Sequence, residues 1–253
     1  MKKSIVNPPE PSSQVRPRFD ISPCKRPCPQ TILLPLDNSV LSRGNGLSEK
    51  VEPKNELKPK GLKGISDQQL EYHFETHYKG YVAKINEIWD KLQTVDRSKA
   101  NQNFSDYRAL KVEESFNYMG VVLHQLYFEN IRDGNGTAPS AGLVEHINKN
   151  FGSFEKWKED FKACGIALRG WAILVYDLTS GRLINNGLDA HNVYGLVNTV
   201  PLLVLDVYEH AYYTDQGPKR PPYIDAFFEN VNWNVVNRRL EASLKARSNF
   251  PNA

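Results

Sequence analysis

The sequence predicts an α+β protein: an N-terminal antiparallel helical hairpin followed by a C-terminal α/β domain with a small three-stranded antiparallel sheet. Three observations carry that reading. Two long segments between about Ser66 and Ile131 repeat their apolar residues every three or four positions. The stretch from Trp171 to Asp206 holds short apolar runs bounded by turn residues instead. Between these regions lies "RDGNGTAPS", residues 132–140, with two glycines and a proline.

Residues 1–60 carry eleven Lys or Arg against six Asp or Glu, and ten of the sixteen prolines. They read as a Pro-rich basic extension, flexible or loosely docked. Cys24 and Cys28 in "CKRPC" have no nearby histidine or second cysteine pair, so an inert tail is favoured over a zinc site or a reducible pair. The hairpin domain is expected over 61–135. Its first helix presents Leu70, Phe74, Tyr78, Tyr81, Val82, Ile85, Ile88, Trp89 and Leu92 at helical spacing. "TVDRSKANQNFSDYR" is a polar link. Leu110, Val112, Phe116, Met119, Val122, Leu123, Leu126 and Tyr127 mark the second helix, which ends near Ile131.

The C-terminal domain is expected over 136–247. "AGLVEHINKNFG" and "SFEKWKEDFKACGIAL" read as helices, the second capped by Ser153. "GWAILVYDLTSGRLINNG" reads as two strands turning at Ser180 and Gly181, and "VPLLVLD" as a strand covered on both faces. "PPYIDAFFENVNWNVVNRRLEASLKARS" is helical again.

With 253 residues, 40% hydrophobic and 24% charged, the chain has the composition of a soluble globular protein. The basic excess belongs to residues 1–60, so the body offers no polyanion-binding composition and no nucleic-acid partner is expected. No run of apolar residues is long enough for a membrane span, and "MKKSIVNPPEPSS" lacks the apolar core of a secretory signal. Three cysteines, at 24, 28 and 164, make no disulfide framework. The expectation is a cytoplasmic protein without a membrane partner.

The chain has six histidines. His73, His77 and Tyr81 share one stripe of the first helix, and that stripe overlaps the apolar one. His124 is flanked by apolar residues in "GVVLHQLYF". In "PLLVLDVYEHAYY" a buried-looking strand runs into Asp206, with His210 four positions later. Two readings stand side by side. Asp206 caps the next helix, with Glu209 completing a capping box, and each histidine is an ordinary core residue. Otherwise one inward histidine per long helix joins Asp206 and His210 in a three-nitrogen, one-carboxylate site suited to iron, manganese or zinc. The lack of cysteine ligands argues against structural zinc.

"LEYHFETHYKGYV", "VLHQLYF", "FGSFEKWKEDF", "LDVYEHAYY", "RPPYIDAF" and "VNWNVV" resemble segments of the iron/manganese superoxide dismutase family, in that family's order, over roughly residues 58–242. The resemblance implies a dismutase of superoxide with one iron or manganese ion per chain and no organic cofactor. It implies His73, His124, Asp206 and His210 as metal ligands. Tyr81 then becomes the gateway phenol, His77 the histidine behind it, and Trp171 a pocket wall. Glu209 and Tyr213 would reach across a homodimer, or a tetramer of such dimers, toward the second copy's His210 and His77. Arg220 would lie near the substrate channel.

The chain departs from the family pattern at several places. Gly120, four before His124, matches the manganese type, yet the sheet segment "GLDAHNVYG" offers His191 where many members carry glutamine. His191 is expected to donate toward the metal-bound solvent, a loop-surface histidine being the alternative. Tyr208 stands in place of a tryptophan, and "GIALRGW" lacks the usual Gly-Ser-Gly before Trp171. His146 matches no functional position and is expected to be exposed. The alternatives are a non-enzymatic relative, like ribosomal proteins that share the likeness without the metal site, and a mononuclear iron oxygenase.

Overall fold

The structure, a computed structural model, describes residues 50–248 apart from 133 and 135. The Cys24 and Cys28 reading and most of the proposed extension lie outside the described residues, which belong to one compact unit.

The first long helix is three consecutive pieces: α1 (Asp67–Glu71), a π-helical segment (Tyr72–Tyr78) and α2 (Lys79–Thr94). The Ser66 hydroxyl caps it by accepting from the Gln69 N–H. Leu70, Phe74, Tyr78, Val82, Ile85, Ile88 and Leu92 are buried, as their spacing predicts. A short turn at Arg97–Lys99 leads to α3 (Asp106–Ile131), capped by Ser105. Its contacts with the first helix run in reverse order: Gln125 Nε2 donates to the Tyr78 hydroxyl and Trp89 Nε1 to Glu114. The hairpin is therefore antiparallel. Only the C-terminal half of α3 is in the core, and Val112 is exposed.

Residues 50–60, which proline and charge content assign to the extension, lie against this hairpin. Lys50 pairs with Asp90, the Asn86 amide bonds both backbone groups of Val51, and the Lys54 N–H donates to the Tyr78 hydroxyl. Leu57 is buried. Composition registers the prolines but not these contacts along the helix surface.

In the second half, α4 (Ala141–Phe151) and α5 (Phe154–Ala167) are capped by Ser140 and Ser153. Between them Gly152 takes φ 89°, a conformation that ends α4 and that side chains disfavour. Three antiparallel strands follow: β1 (Trp171–Asp177), β2 (Leu183–Leu188) and β3 (Thr199–Asp206), ordered β2-β1-β3. The turn between β1 and β2 places Gly181 at φ 70°. Leu202, Leu203, Val204 and Leu205 are fully buried, about 1.5–3 kcal/mol of apolar burial each. Trp171 stands opposite Asp206 in the register, so the start of β1 and the end of β3 meet at one edge of the core.

After β3 come a short turn at Glu209–Ala211, α6 (Tyr213–Gln216), α7 (Arg220–Glu229) and α8 (Trp233–Arg247). The helical reading of the C-terminal stretch is interrupted at 230–232. There the Asn230 amide bonds both backbone groups of Lys63, and the Asn232 N–H donates to the Asn130 carbonyl. Among the described residues no helix is long and apolar enough to cross a membrane.

Candidate metal centre

Four elements deliver four side chains to one point. His73 comes from the π-helical segment, His124 from α3, Asp206 from the last position of β3, and His210 from the turn after it. One atom from each lies within 4.8 Å of the others. The Nε2 atoms of His73, His210 and His124 stand 3.1, 3.2 and 3.5 Å from the same oxygen, Asp206 Oδ2. His73, His124 and Asp206 have no exposed surface.

The protonation of this cluster follows from its hydrogen bonds. His124 Nδ1 lies 2.6 Å from the Gly120 carbonyl, which only accepts, so Nδ1 carries the hydrogen and Nε2 is bare. That bare nitrogen faces a carboxylate oxygen and has no hydrogen-bond partner. Two lone pairs meeting in a dry interior call for a cation between them. Burial holds the His73 and His124 imidazoles below their ordinary range and hence neutral. Burial opposes ionisation of Asp206, but the adjoining His210 and His73 hold its carboxyl well below the usual range. Three imidazoles and one carboxylate suit iron or manganese.

The two sequence readings of Asp206 divide between its oxygens. Oδ1 accepts from the Tyr208 N–H at 2.9 Å, closing the turn, while Oδ2 faces the histidines. Glu209 completes no capping box; its side chain is exposed.

Around the cluster, His77 is half-buried and stacks on His210 with ring centroids 4.1 Å apart. Burial first, then His210, lowers it to about 4. Tyr81 packs 5.2 Å from His124 and 4.7 Å from His191, and burial raises its hydroxyl. Trp171 is fully buried, edge-on to His124 at 5.1 Å. His191 is buried rather than on a loop surface. The indole Nε1 of Trp171, a donor only, donates to His191 Nδ1 at 2.9 Å. The neutral ring must then carry its hydrogen on Nε2, which is buried and unpaired. Burial lowers His191 to about 4. Tyr208 stacks on His210 at 5.1 Å and lies 5.0 Å from His191; burial pushes its phenol up to about 12.

Other expected positions fall further out. Tyr213 is exposed beside the cluster's loop. The Arg220 guanidinium closes the end of α5: Nη1 donates to the carbonyls of Gly165, Ile166 and Leu168. His146 is half-buried rather than exposed, its ring bonded to the Gly142 carbonyl. Sequence reasoning missed the pair that supports the Asp206 backbone. The Tyr223 hydroxyl donates to the Asp206 carbonyl at 2.8 Å and lies 3.0 Å from the Tyr127 hydroxyl. The signal available was a tyrosine three positions after His124 and another in "RPPY". It also missed Gln69, buried four positions before His73.

Comparisons with known proteins agree with this geometry. Residues 53–132 match the model of the alpha-hairpin domain of iron/manganese superoxide dismutases, and residues 139–239 that of their C-terminal domain. The chain is 59% identical over 200 residues to proteins named superoxide dismutase (Fe) from Aquifex aeolicus and Aquifex pyrophilus, covering 78% of this chain and 94% of each of them. It is 37% identical over 177 residues to superoxide dismutase (Mn) 1 from Halobacterium salinarum, covering 70% of this chain and 87% of that one. The same two-domain order, with three imidazoles and a carboxylate where the domains meet, places the chain in the iron/manganese superoxide dismutase family.

Proposed function

We propose that this protein is a superoxide dismutase that converts superoxide to oxygen and hydrogen peroxide, with one iron or manganese ion per chain held by His73, His124, Asp206 and His210. The observation that carries the reading is the convergence of three imidazole nitrogens on Asp206 Oδ2, with His124 Nε2 bare and unpartnered. When bound, such an ion supplies the one-electron cycle of dismutation, taking an electron from one superoxide and returning it to a second. The likeness to two relatives named as iron proteins makes iron the first metal to test.

The chain's own residues set charge and protons. One carboxylate against a divalent or trivalent ion leaves the site cationic, which attracts an anionic substrate. Peroxide formation consumes two protons. The protonated Tyr81 hydroxyl and the His191 Nε2–H are the groups beside His124 that carry one, and Trp171 fixes which His191 nitrogen holds it. His77, stacked on His210, lies behind Tyr81 on the same helix.

Gly120 has a steric role in this arrangement. A Cβ there would sit 2.9 and 3.0 Å from carbons of the Tyr81 ring. Gly120→Ala is expected to push the phenol from its place and lower turnover about tenfold. The gain in helix propensity, about 1 kcal/mol, offsets the strain of the displaced ring, so the thermal midpoint changes little. Steady-state kinetics beside a melting curve checks this; parental turnover would show that Tyr81 has room to yield.

Retention of the whole donor set argues against the non-enzymatic alternative, and a fourth protein ligand argues against an oxygenase site. We further propose a homodimer, or a tetramer of two such dimers, in which the exposed Glu209 and Tyr213 meet a second copy; sedimentation of the purified protein tests the assembly. Function is tested by elemental analysis and dismutation rates after reconstitution with iron and manganese separately. Activity with either ion supports the reading. Bound metal without activity overturns the dismutase assignment, and absence of metal in folded protein overturns the ligand set.

A further inference from the structure

We propose that Gln69 is a positioning residue for the metal centre, locking the backbone of His210 to the helix face that carries His73; this rests on the metal-site reading above. Gln69 is buried and precedes His73 by four residues, one helical turn. Its Nε2 donates to the His210 carbonyl at 2.5 Å and its Oε1 accepts from the Thr214 N–H at 3.0 Å. Both partners are backbone groups of fixed polarity, so the orientation of the amide is determined.

The two groups that Gln69 joins are a carbonyl and an N–H four residues apart, the pair that a continuous α-helix would bond directly. That bond is broken here. The turn at Glu209–Ala211 is interrupted at Tyr212, with φ −147° and ψ −12°, before α6 starts at Tyr213. The side-chain amide of Gln69 bridges the interruption. Closing the helix instead would rotate His210 away from Asp206 Oδ2, 3.2 Å from its Nε2, and from the His77 ring stacked on it. Gln69 therefore fixes the separation of two ligands that come from opposite ends of the sequence.

A second staple joins the same elements without touching His210. The Ser66 N–H and hydroxyl donate to Asp215 at 2.7 and 2.5 Å on the exposed side. Removing it from the Asp215 side weakens the packing of the helix start on α6 and leaves both the Ser66 cap of the Gln69 N–H and the Gln69 bridge intact, which makes it the control.

The experiment compares full-length, manganese-loaded parent with Gln69→Leu, Gln69→Glu and Asp215→Ala. It follows manganese retained during timed exposure to EDTA, with the thermal midpoint and the EPR spectrum of bound Mn(II) in parallel. Leucine removes both bonds. Glutamate keeps the acceptor for Thr214 and loses the donor to His210, so it carries the comparison where the leucine variant does not fold. Both Gln69 variants are expected to release manganese roughly tenfold faster than the parent, with an altered EPR spectrum. Asp215→Ala, which also lowers the thermal midpoint, is expected to keep the parental rate and spectrum. Gln69 variants that match Asp215→Ala in both readouts overturn the proposal and leave Gln69 a packing residue. A parent that retains no manganese or iron overturns the underlying metal site as well, and is recognised without any variant.

Discussion

Asp206→Asn is expected to abolish metal retention and dismutation while leaving the chain folded. The amide oxygen still accepts from the Tyr208 N–H, so the turn after β3 keeps its bond, and the Tyr223 bond to the backbone carbonyl is untouched. What disappears is the negative charge of a buried carboxylate among three imidazoles. Removing one member of a buried charged set costs about 3–5 kcal/mol. At about 1.4 kcal/mol per factor of ten, metal affinity falls by roughly two to four orders of magnitude. The metal-free proteins should also differ in acid. Asp206 is held below its ordinary value of 3.8, so its contribution is present above that pH and lost as the pH falls through the folded-state value. The variant lacks this decline. Elemental analysis, a dismutation assay and melting curves from pH 3 to 7 test all three points. An asparagine variant that holds metal at the parental level would falsify the assignment of Asp206 as a ligand.

Much of this site is legible in the sequence because inward histidines on long apolar helices need partners, and only Asp206 and His210 stand at the end of a buried strand. Spacing could not show that 133 residues of separation close to 3.1 Å between His73 and Asp206. That contact depends on β3 pairing with β1 and packing against α3, which is tertiary. The π-helical segment over Tyr72–Tyr78 was not legible, because one wider turn barely disturbs the apolar period around it. It lies where His73 and His77 must both reach His210, with ring separations of 5.0 and 4.1 Å. Gly120 was readable only as a match to a metal type; its contact with the Tyr81 ring supplies a steric cause that no local pattern reveals. Arg220 was named through the family resemblance alone; its bonds to the carbonyls at the end of α5, distant in sequence, are tertiary and leave no local pattern. The contacts of residues 50–60 with the hairpin were not legible, because proline content marks residues unsuited to helices, not residues without contacts.

His191 should govern both acid stability and turnover, and the two effects separate with the substitution chosen. Its ring is held neutral by burial, lowered from 6.5 to about 4. Between those values the unfolded chain binds a proton that the folded chain refuses, so stability falls as the pH drops through the window and the full penalty is present below about 4. The span corresponds to on the order of 3 kcal/mol. The half-buried His77 and the fully buried His73 and His124 add shares of the same sign in metal-free protein. His191→Gln, which cannot titrate, should remove the share that belongs to His191. Metal-free variant and parent, unfolded in urea at pH 7 and pH 4.5, should diverge at the lower pH in favour of the variant. Glutamine also retains one acceptor for the Trp171 indole and one donor group, so turnover should stay within about tenfold of the parent. His191→Leu removes both. It leaves the buried Trp171 N–H unpaired, at a cost of about 1–3 kcal/mol, and deletes a proton carrier beside His124. Its turnover should fall by roughly a hundredfold, within the range for losing a positioned proton donor. Parental turnover in the leucine variant would remove His191 from the proton supply and leave Tyr81 as the first candidate, because its protonated hydroxyl belongs to a ring packed against both His124 and His191.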